Sequence, residues 1–148
     1  MQRLILADRA REPGRELFGY GMALLDVILA RPELRWRASL PANMERVRQV
    51  IEERLGKALP NSVLAREAGL SETGLERAFK RHFGTTPGRY VTELRVREAA
   101  YLLAQTDQSL DDIATQTGFP NRAYFSRVFK HVTAESPASF RRKHRRTT

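Results

Sequence analysis

Residues 64–90 and 113–140 carry one pattern twice, and this internal repeat constrains the fold more than any other sequence feature. The first part of the pattern recurs 49 residues later and the second part 50 residues later, so one residue is inserted between them. Each copy places apolar residues at helical spacing on both sides of a glycine, which predicts a helix, a turn and a second helix. The matching pairs are Leu64 and Ile113, Ala65 and Ala114, Gly69 and Gly118, Leu70 and Phe119, Leu75 and Phe125, Arg77 and Arg127, Phe79 and Phe129, Lys80 and Lys130, Pro87 and Pro137, and Tyr90 and Phe140.

Capping residues and glycines divide the chain from residue 43 onward into short helices, and no alternating strand pattern is found there. Asn43 is predicted to cap the first helix, and Ser71 and Asn121 are predicted to cap the second helix of each repeat. The predicted fold is therefore all-α, with two helix-turn-helix units joined by a long helix and preceded by an N-terminal helix. The predicted bounds are about 62–83 for the first unit, about 87–106 for the long helix and about 110–132 for the second unit.

The second helix of each unit is predicted to bury an apolar stripe and to leave polar residues on its other side. An arginine on such a face, here Arg77 or Arg127, can form a bidentate pair with guanine in the major groove of DNA. A lysine one turn further on, here Lys80 or Lys130, fits a phosphate, which adds affinity without sequence information. The two outer faces therefore predict contact with nucleic acid.

The long helix supplies a second argument from its length. At about 1.5 Å per residue it would be roughly 30 Å long, which is close to the roughly 34 Å between successive major-groove segments on one face of DNA. One copy of the chain could then contact two adjacent segments, although an ordinary bundle helix can have the same length. The residues predicted to pack it against both units are Tyr90, Val91, Leu94, Ala99, Leu102 and Leu103.

The net charge of +9 suggests an anionic partner, but its distribution matters more than its total. Residues 141–148 carry five basic and no acidic side chains, which is typical of either a phosphate-binding arm or a solvated terminus. No acidic residue lies between Pro120 and Ala134, whereas Asp107, Asp111 and Asp112 precede that stretch. The second unit is therefore predicted to be electrostatically polarised.

Catalysis, a metal site and a cofactor are not predicted. The chain has no cysteine, which excludes disulfides, thiolate metal sites and a cysteine nucleophile and suits a reducing cytoplasm. Its histidines, His82, His131 and His144, lack metal-ligand spacing. No glycine-rich phosphate loop, signal peptide or membrane span is found, so the protein is expected to be a cytoplasmic non-enzyme.

Residues 1–42 are interpreted as a helical extension and linker. Apolar residues between positions 17 and 30 fit one side of a helix, and Pro32 would stop it. That face must be buried, so the segment either folds back on the bundle or pairs with a second copy through residues 15–30.

Residues 43–143 closely resemble the C-terminal DNA-binding domain of the AraC/XylS family of bacterial transcription regulators. The resemblance implies a seven-helix, homeodomain-like bundle that binds double-stranded promoter DNA, mostly to activate transcription, and that contacts RNA polymerase. It also suggests that residues 1–42 are the remnant of an effector and dimerisation domain in a truncated regulator, and that residues 144–148 form a basic tail. The motif residues are Asp112, Ile113, Ala114, Gly118, Phe119, Tyr124, Phe125, Ser126, Arg127, Val128, Phe129, Lys130, Ser136, Pro137, Phe140 and Arg141.

The resemblance also implies roles for individual residues. The expected base-reading positions are Thr73, Glu76, Arg77, Arg122, Ala123, Tyr124 and Arg127. The expected phosphate contacts are Ser71, Lys80, Arg81, Asn121, Lys130, Arg141 and Arg142.

Four residues make the match to the family, or their own helix, less favourable. Ala134 occupies a position where the family usually has glycine, so the turn there must avoid a left-handed residue or tolerate strain. Gly74 lies inside the first recognition helix, where glycine costs about 1 kcal/mol relative to alanine. Glu72 and Glu76 beside it repel phosphate, although Glu76 could accept a hydrogen bond from a cytosine amino group. The first unit is therefore expected to contribute less affinity than the second. The alternative functions are a nonspecific nucleic-acid or nucleoid-binding module, and a truncated regulator acting through protein contacts.

Overall fold

The computed structural model describes residues 40–145, and this part of the chain contains seven α-helices. The all-α fold with two helix-turn-helix units joined by a long helix is confirmed. The N-terminal helix predicted within residues 17–30 lies outside the described residues. The helices are α1 (Ala42–Glu53), α2 (Asn61–Ala68), α3 (Glu72–Phe83), α4 (Pro87–Gln105), α5 (Leu110–Gln116), α6 (Arg122–Thr133) and α7 (Pro137–His144). The two units are α2–α3 and α5–α6, and α4 is the long helix between them.

The helix α4 contributes to two separate hydrophobic cores. Its first half buries Tyr90 and Val91 against α1, α2 and α3, while its second half packs against α5, α6 and α7. The predicted packing residues therefore divide between the two units, as expected for a helix that connects them. The first core contains Met44, Val47, Val50, Ile51, Leu64, Ala65, Ala68, Leu75, Phe79, Phe83, Tyr90 and Val91, with Leu94 partly buried against it. The second contains Val96, Ala99, Ala100, Leu102, Leu103, Ile113, Ala114, Phe119, Phe125, Phe129 and Phe140.

The predicted caps of the two recognition helices, α3 and α6, are confirmed. The Ser71 hydroxyl accepts a hydrogen bond from the Gly74 backbone N–H at 3.1 Å, and the Asn121 side-chain oxygen accepts one from Tyr124 at 2.8 Å. The prediction that Asn43 caps the first helix is wrong. Pro41 occupies the cap position of α1, and the Asn43 amide instead donates to the Ala68 carbonyl at 3.3 Å.

The turn after α6 is strained. Ala134 has a φ of 63°, the left-handed conformation that Gly84 adopts after α3 with a φ of 67°. A Cβ atom costs roughly 1–2 kcal/mol in this conformation because it crowds the following carbonyl oxygen. The turn therefore tolerates strain rather than avoiding a left-handed residue.

The substitution Ala134→Gly is expected to raise the free energy of unfolding by about 0.5–1 kcal/mol, because relief of this strain exceeds the extra entropy of glycine in the unfolded chain. Urea denaturation measures the change. The matched control is Gly84→Ala, which should lower stability by about 1 kcal/mol, since a Cβ there meets nothing within 4 Å and only the backbone is affected. A loss of stability in Ala134→Gly would contradict this account.

Candidate nucleic-acid interface

Burial separates the two sides of each recognition helix. In α3 the buried residues are Leu75, Phe79 and Phe83, and in α6 they are Phe125 and Phe129. The opposite sides are open to solvent. All the predicted base-reading residues are exposed: Thr73, Glu76 and Arg77 on α3, and Arg122, Ala123, Tyr124 and Arg127 on α6. We call these two groups the α3 face and the α6 face.

The capping residues at the start of α3 and α6 still have hydrogen-bond donors that the caps do not use. The Ser71 hydroxyl and the Asn121 amide each accept from the helix backbone, so the hydroxyl hydrogen and the amide N–H₂ remain able to donate. Both residues are exposed at a helix N-terminus, where the helix dipole favours an anion. Their position fits the predicted role of contacting phosphate.

On the α6 face an aromatic ring supports the predicted guanine-reading arginine. The Arg127 guanidinium carbon lies 5.8 Å from the centroid of the Tyr124 ring, within range of a cation–π interaction. The Tyr124 ring is itself 6.3 Å from Phe119, which is buried in the second core. The Arg127 guanidinium therefore lies over a ring that is itself next to the second core.

The other arginine of the α6 face is paired with a carboxylate. The Arg122 guanidinium lies 3.5 Å from the Asp111 carboxylate on α5, and both side chains are exposed. Sequence analysis did not single out Asp111 as a partner, although the acidic run before the basic helix was a signal. DNA would have to compete with Asp111 for Arg122, whereas Arg127 carries no such pair among the described residues.

The α3 face carries more negative charge. Glu72 lies in the first turn of α3, and the carboxylate of Glu76 accepts a hydrogen bond from the Asn61 amide at 3.3 Å. Lys80 and Arg81 lie in the last turn, also exposed. The carboxylate of Glu76 therefore lies on the α3 face, whereas the basic groups lie at the C-terminal end of α3.

Gly74 lies in the first turn of α3, where its backbone N–H donates to the Ser71 cap. A Cβ atom at this position would lie 3.2 Å from the Ser71 hydroxyl oxygen. The caps of α4 to α7 bond in the same way to residues that have side chains, so the cap does not require glycine, and the low helix propensity of Gly74 remains a cost to α3.

Three basic side chains within residues 141–145 make contacts with other parts of the protein. A guanidinium nitrogen of Arg141 donates to the Gln108 carbonyl, Lys143 pairs with Glu135 at 3.0 Å, and Arg145 pairs with Asp107. Arg141 is half-buried, so its predicted phosphate contact would require this hydrogen bond to be released. Arg142 is exposed, as are the remaining predicted phosphate contacts: Ser71, Lys80, Arg81, Asn121 and Lys130.

Within residues 40–145, no group of three or more histidine or acidic side chains could hold a metal ion. In the same part of the chain, no helix combines the length and the apolar character that a membrane crossing requires.

A family model described as "Helix-turn-helix domain" matches residues 64–143, from α2 to α7. The chain belongs to the AraC/XylS family of DNA-binding transcription regulators.

Named relatives and solved structures of AraC/XylS type agree with this placement. The "HTH-type transcriptional activator RhaS" of Enterobacter sp. (strain 638) is 33% identical over 100 residues, which are 68% of this chain and 36% of the relative. The C-terminal domain of AraT, a response regulator from Geobacillus stearothermophilus, has a TM-score of 0.71 at 28% identity, covering 74% of this chain and 92% of that domain.

One of the similar AraC/XylS structures contains DNA. It is the DNA-binding domain of AdpA, described as a global transcriptional factor in complex with a target DNA. Its TM-score is 0.66 at 27% identity, and the match covers 68% of this chain and 90% of that domain. The chain spans 26% to 64% of the length of the first curated relatives that it matches. The similarity therefore concerns the double helix-turn-helix domain.

Proposed function

We propose that this protein is a sequence-specific DNA-binding transcription regulator that inserts α3 and α6 into adjacent segments of the major groove. The observation that carries the proposal is the pair of capped recognition helices, each with a buried apolar side and an exposed polar face, attached to the two halves of one helix. A helix of 19 residues is about 28 Å long, which is compatible with the spacing of the groove. Family membership supports the same reading.

The roles proposed for individual residues follow the sequence expectations. The α3 face and the α6 face read base edges, with Arg127 on guanine and Glu76 accepting from a cytosine amino group. The remaining residues named as phosphate contacts orient the helices without reading sequence. Residues 43–143 act as the DNA-binding domain, with residues 1–42 as an extension and residues 144–148 as a tail.

The proposal extends to the cellular setting. The similarity to a relative named as an activator supports positive regulation. Contact with RNA polymerase is part of the proposal as the means of that regulation. A cytoplasmic, non-enzymatic protein that pairs with a second copy through residues 15–30 is part of the same proposal.

Selection of bound duplexes from a random DNA pool at physiological salt tests the function directly. We expect two short motifs whose centres lie about one helical turn, roughly 10–10.5 base pairs, apart. Recovery of only one motif would mean that one unit supplies the specificity. Binding without any enriched motif, with strong salt dependence, would instead indicate a nonspecific nucleic-acid binder and overturn the proposal.

A further inference from the structure

Arg95 lies in α4 at the boundary between the two hydrophobic cores. Val91 is buried in the first core and Val96 in the second. The half-buried guanidinium reaches the segment that follows α1, where Nε donates to the Leu55 carbonyl at 2.9 Å and Nη2 donates to the Lys57 carbonyl at 2.6 Å. These two bonds tie the long helix to the segment between α1 and α2, whose Leu55 packs against the first core.

The second unit approaches the same point closely. A Cβ atom on Gly118 would lie 2.8 Å from the Leu55 carbonyl oxygen and 2.9 Å from Nη2 of Arg95. A Cβ atom on Gly56 would lie 2.5 Å from the Gln116 carbonyl oxygen. Glycine at both positions therefore allows the two units to touch. We call residues 55–57, Arg95 and residues 116–118 the inter-unit joint.

Electrostatics distinguishes this arginine from an ordinary surface charge. Burial lowers the pKa of the Arg95 guanidinium below its usual value, and interaction with Tyr124 acts in the opposite direction. The planar fork of an arginine fixes two acceptors in a defined geometry, which an apolar side chain cannot do. Because residues 116–118 lie between α5 and α6, the joint adjoins the second helix-turn-helix unit near its recognition helix.

We propose that Arg95 is a positioning residue that fixes the orientation of the two helix-turn-helix units, and so sets the spacing between the two DNA motifs that the protein accepts. This inference rests on the proposed function. Adding one base pair between the motifs moves the second by about 3.4 Å and turns it by about a tenth of a helical turn. With a rigid joint, the protein should lose affinity for DNA with the altered spacing. With a loosened joint, the second unit can move to its motif and more of the affinity is kept.

The orientation can be measured without DNA. The chain has no cysteine, so Arg66→Cys on α2 and Ala138→Cys on α7, both exposed and outside the proposed DNA contacts, allow specific spin labelling. Pulsed electron paramagnetic resonance is expected to give a narrow distance distribution for the labelled parent and a broad one after Arg95→Leu. The matched control is Arg89→Leu, because Arg89 lies on the same helix, is mostly exposed and pairs with Glu93 one turn away, at 2.9 Å. An unchanged distribution in Arg95→Leu would overturn the proposal.

The second measurement uses duplexes carrying both selected motifs with one base pair added or removed between them. We expect the parent and Arg89→Leu to lose about tenfold in affinity, a typical effect of one misplaced base contact, and Arg95→Leu to lose less than about threefold. Affinity for a single motif should be the same in all three, which separates positioning from a general loss of folding. Arg95→Lys should recover part of the spacing preference. A full spacing preference in Arg95→Leu would contradict the proposal.

If Arg95→Leu does not fold, Gly56→Ala is the second variant, because its Cβ atom would collide with the Gln116 carbonyl oxygen and push the two sides of the joint apart. It is expected to broaden the distribution of distances between the spin labels in the same way. If the parent binds no DNA, the proposed function fails, and the label distances alone decide whether Arg95 holds the two units.

Discussion

Replacing Arg127 by alanine is expected to weaken binding to the selected DNA by about 5- to 150-fold, corresponding to roughly 1–3 kcal/mol for one bidentate contact with guanine. Binding to a scrambled duplex should change much less, because a base contact adds specificity rather than general charge attraction. The effect should be large at this position because Arg127 is exposed and its guanidinium lies over the Tyr124 ring, a contact that favours this orientation of the side chain before DNA arrives. Fluorescence anisotropy with both duplexes at fixed salt measures the two affinities.

The equivalent substitution in the first unit is the matched control. Arg77→Ala removes the residue that aligns with Arg127 in the internal repeat, and we expect it to have the smaller effect. The reason is that Glu72 and Glu76 repel phosphate on the α3 face, whereas no acidic residue lies on α6. If Arg77→Ala weakens specific binding more than Arg127→Ala does, the assignment of the stronger contact to α6 is incorrect.

Truncating Phe129 to alanine is expected to lower the free energy of unfolding by about 3–5 kcal/mol. The ring is fully buried and packs edge-on against Phe125 and Phe140, with centroid distances of 5.6 and 5.4 Å. Its loss leaves a cavity and removes both contacts. Since small domains are stable by only about 5–15 kcal/mol, urea denaturation should detect the change easily.

Phe79→Ala in the first core should produce a loss of similar size, because Phe79 is also fully buried and contacts Phe83 and Tyr90. We expect each variant to unfold in one transition, since α4 belongs to both cores. Tyr101→Ala is the control, because this ring is 51% exposed and its loss should change stability by less than about 0.5 kcal/mol. Two separate transitions in either phenylalanine variant would show that the two halves unfold independently.

The sequence predicted the helices and the two units well because those features depend on local signals. A capping side chain such as Ser71 or Asn121 bonds to a backbone group only three residues away. The repeated apolar spacing likewise identifies which side of a helix is buried, and the predicted base-reading residues are accordingly exposed. Their contact with particular bases stays a prediction.

The remaining features depend on contacts between distant residues, which periodicity does not reveal. The carbonyl partners of Arg95 lie 40 and 38 residues away in the sequence, and the partner of Arg141 lies 33 residues away. Asn43 was a good candidate for a cap by residue type, but packing against α2 gives its amide a different acceptor. At Ala134 the sequence left two outcomes open, and only the backbone φ of 63° distinguishes a strained left-handed turn from one that avoids this conformation.

The division of α4 between two cores has a consequence for synthesis on the ribosome. Every buried residue of the first core lies between Met44 and Val91, and every one of the second between Val96 and Phe140. During synthesis, all the residues of the first core are therefore made before any residue of the second core. The apolar residues in the second half of α4 meet their last partner, Phe140, only when α7 has left the exit tunnel. Nascent chains halted within that interval expose this surface, and they are the stage at which aggregation or chaperone capture is expected.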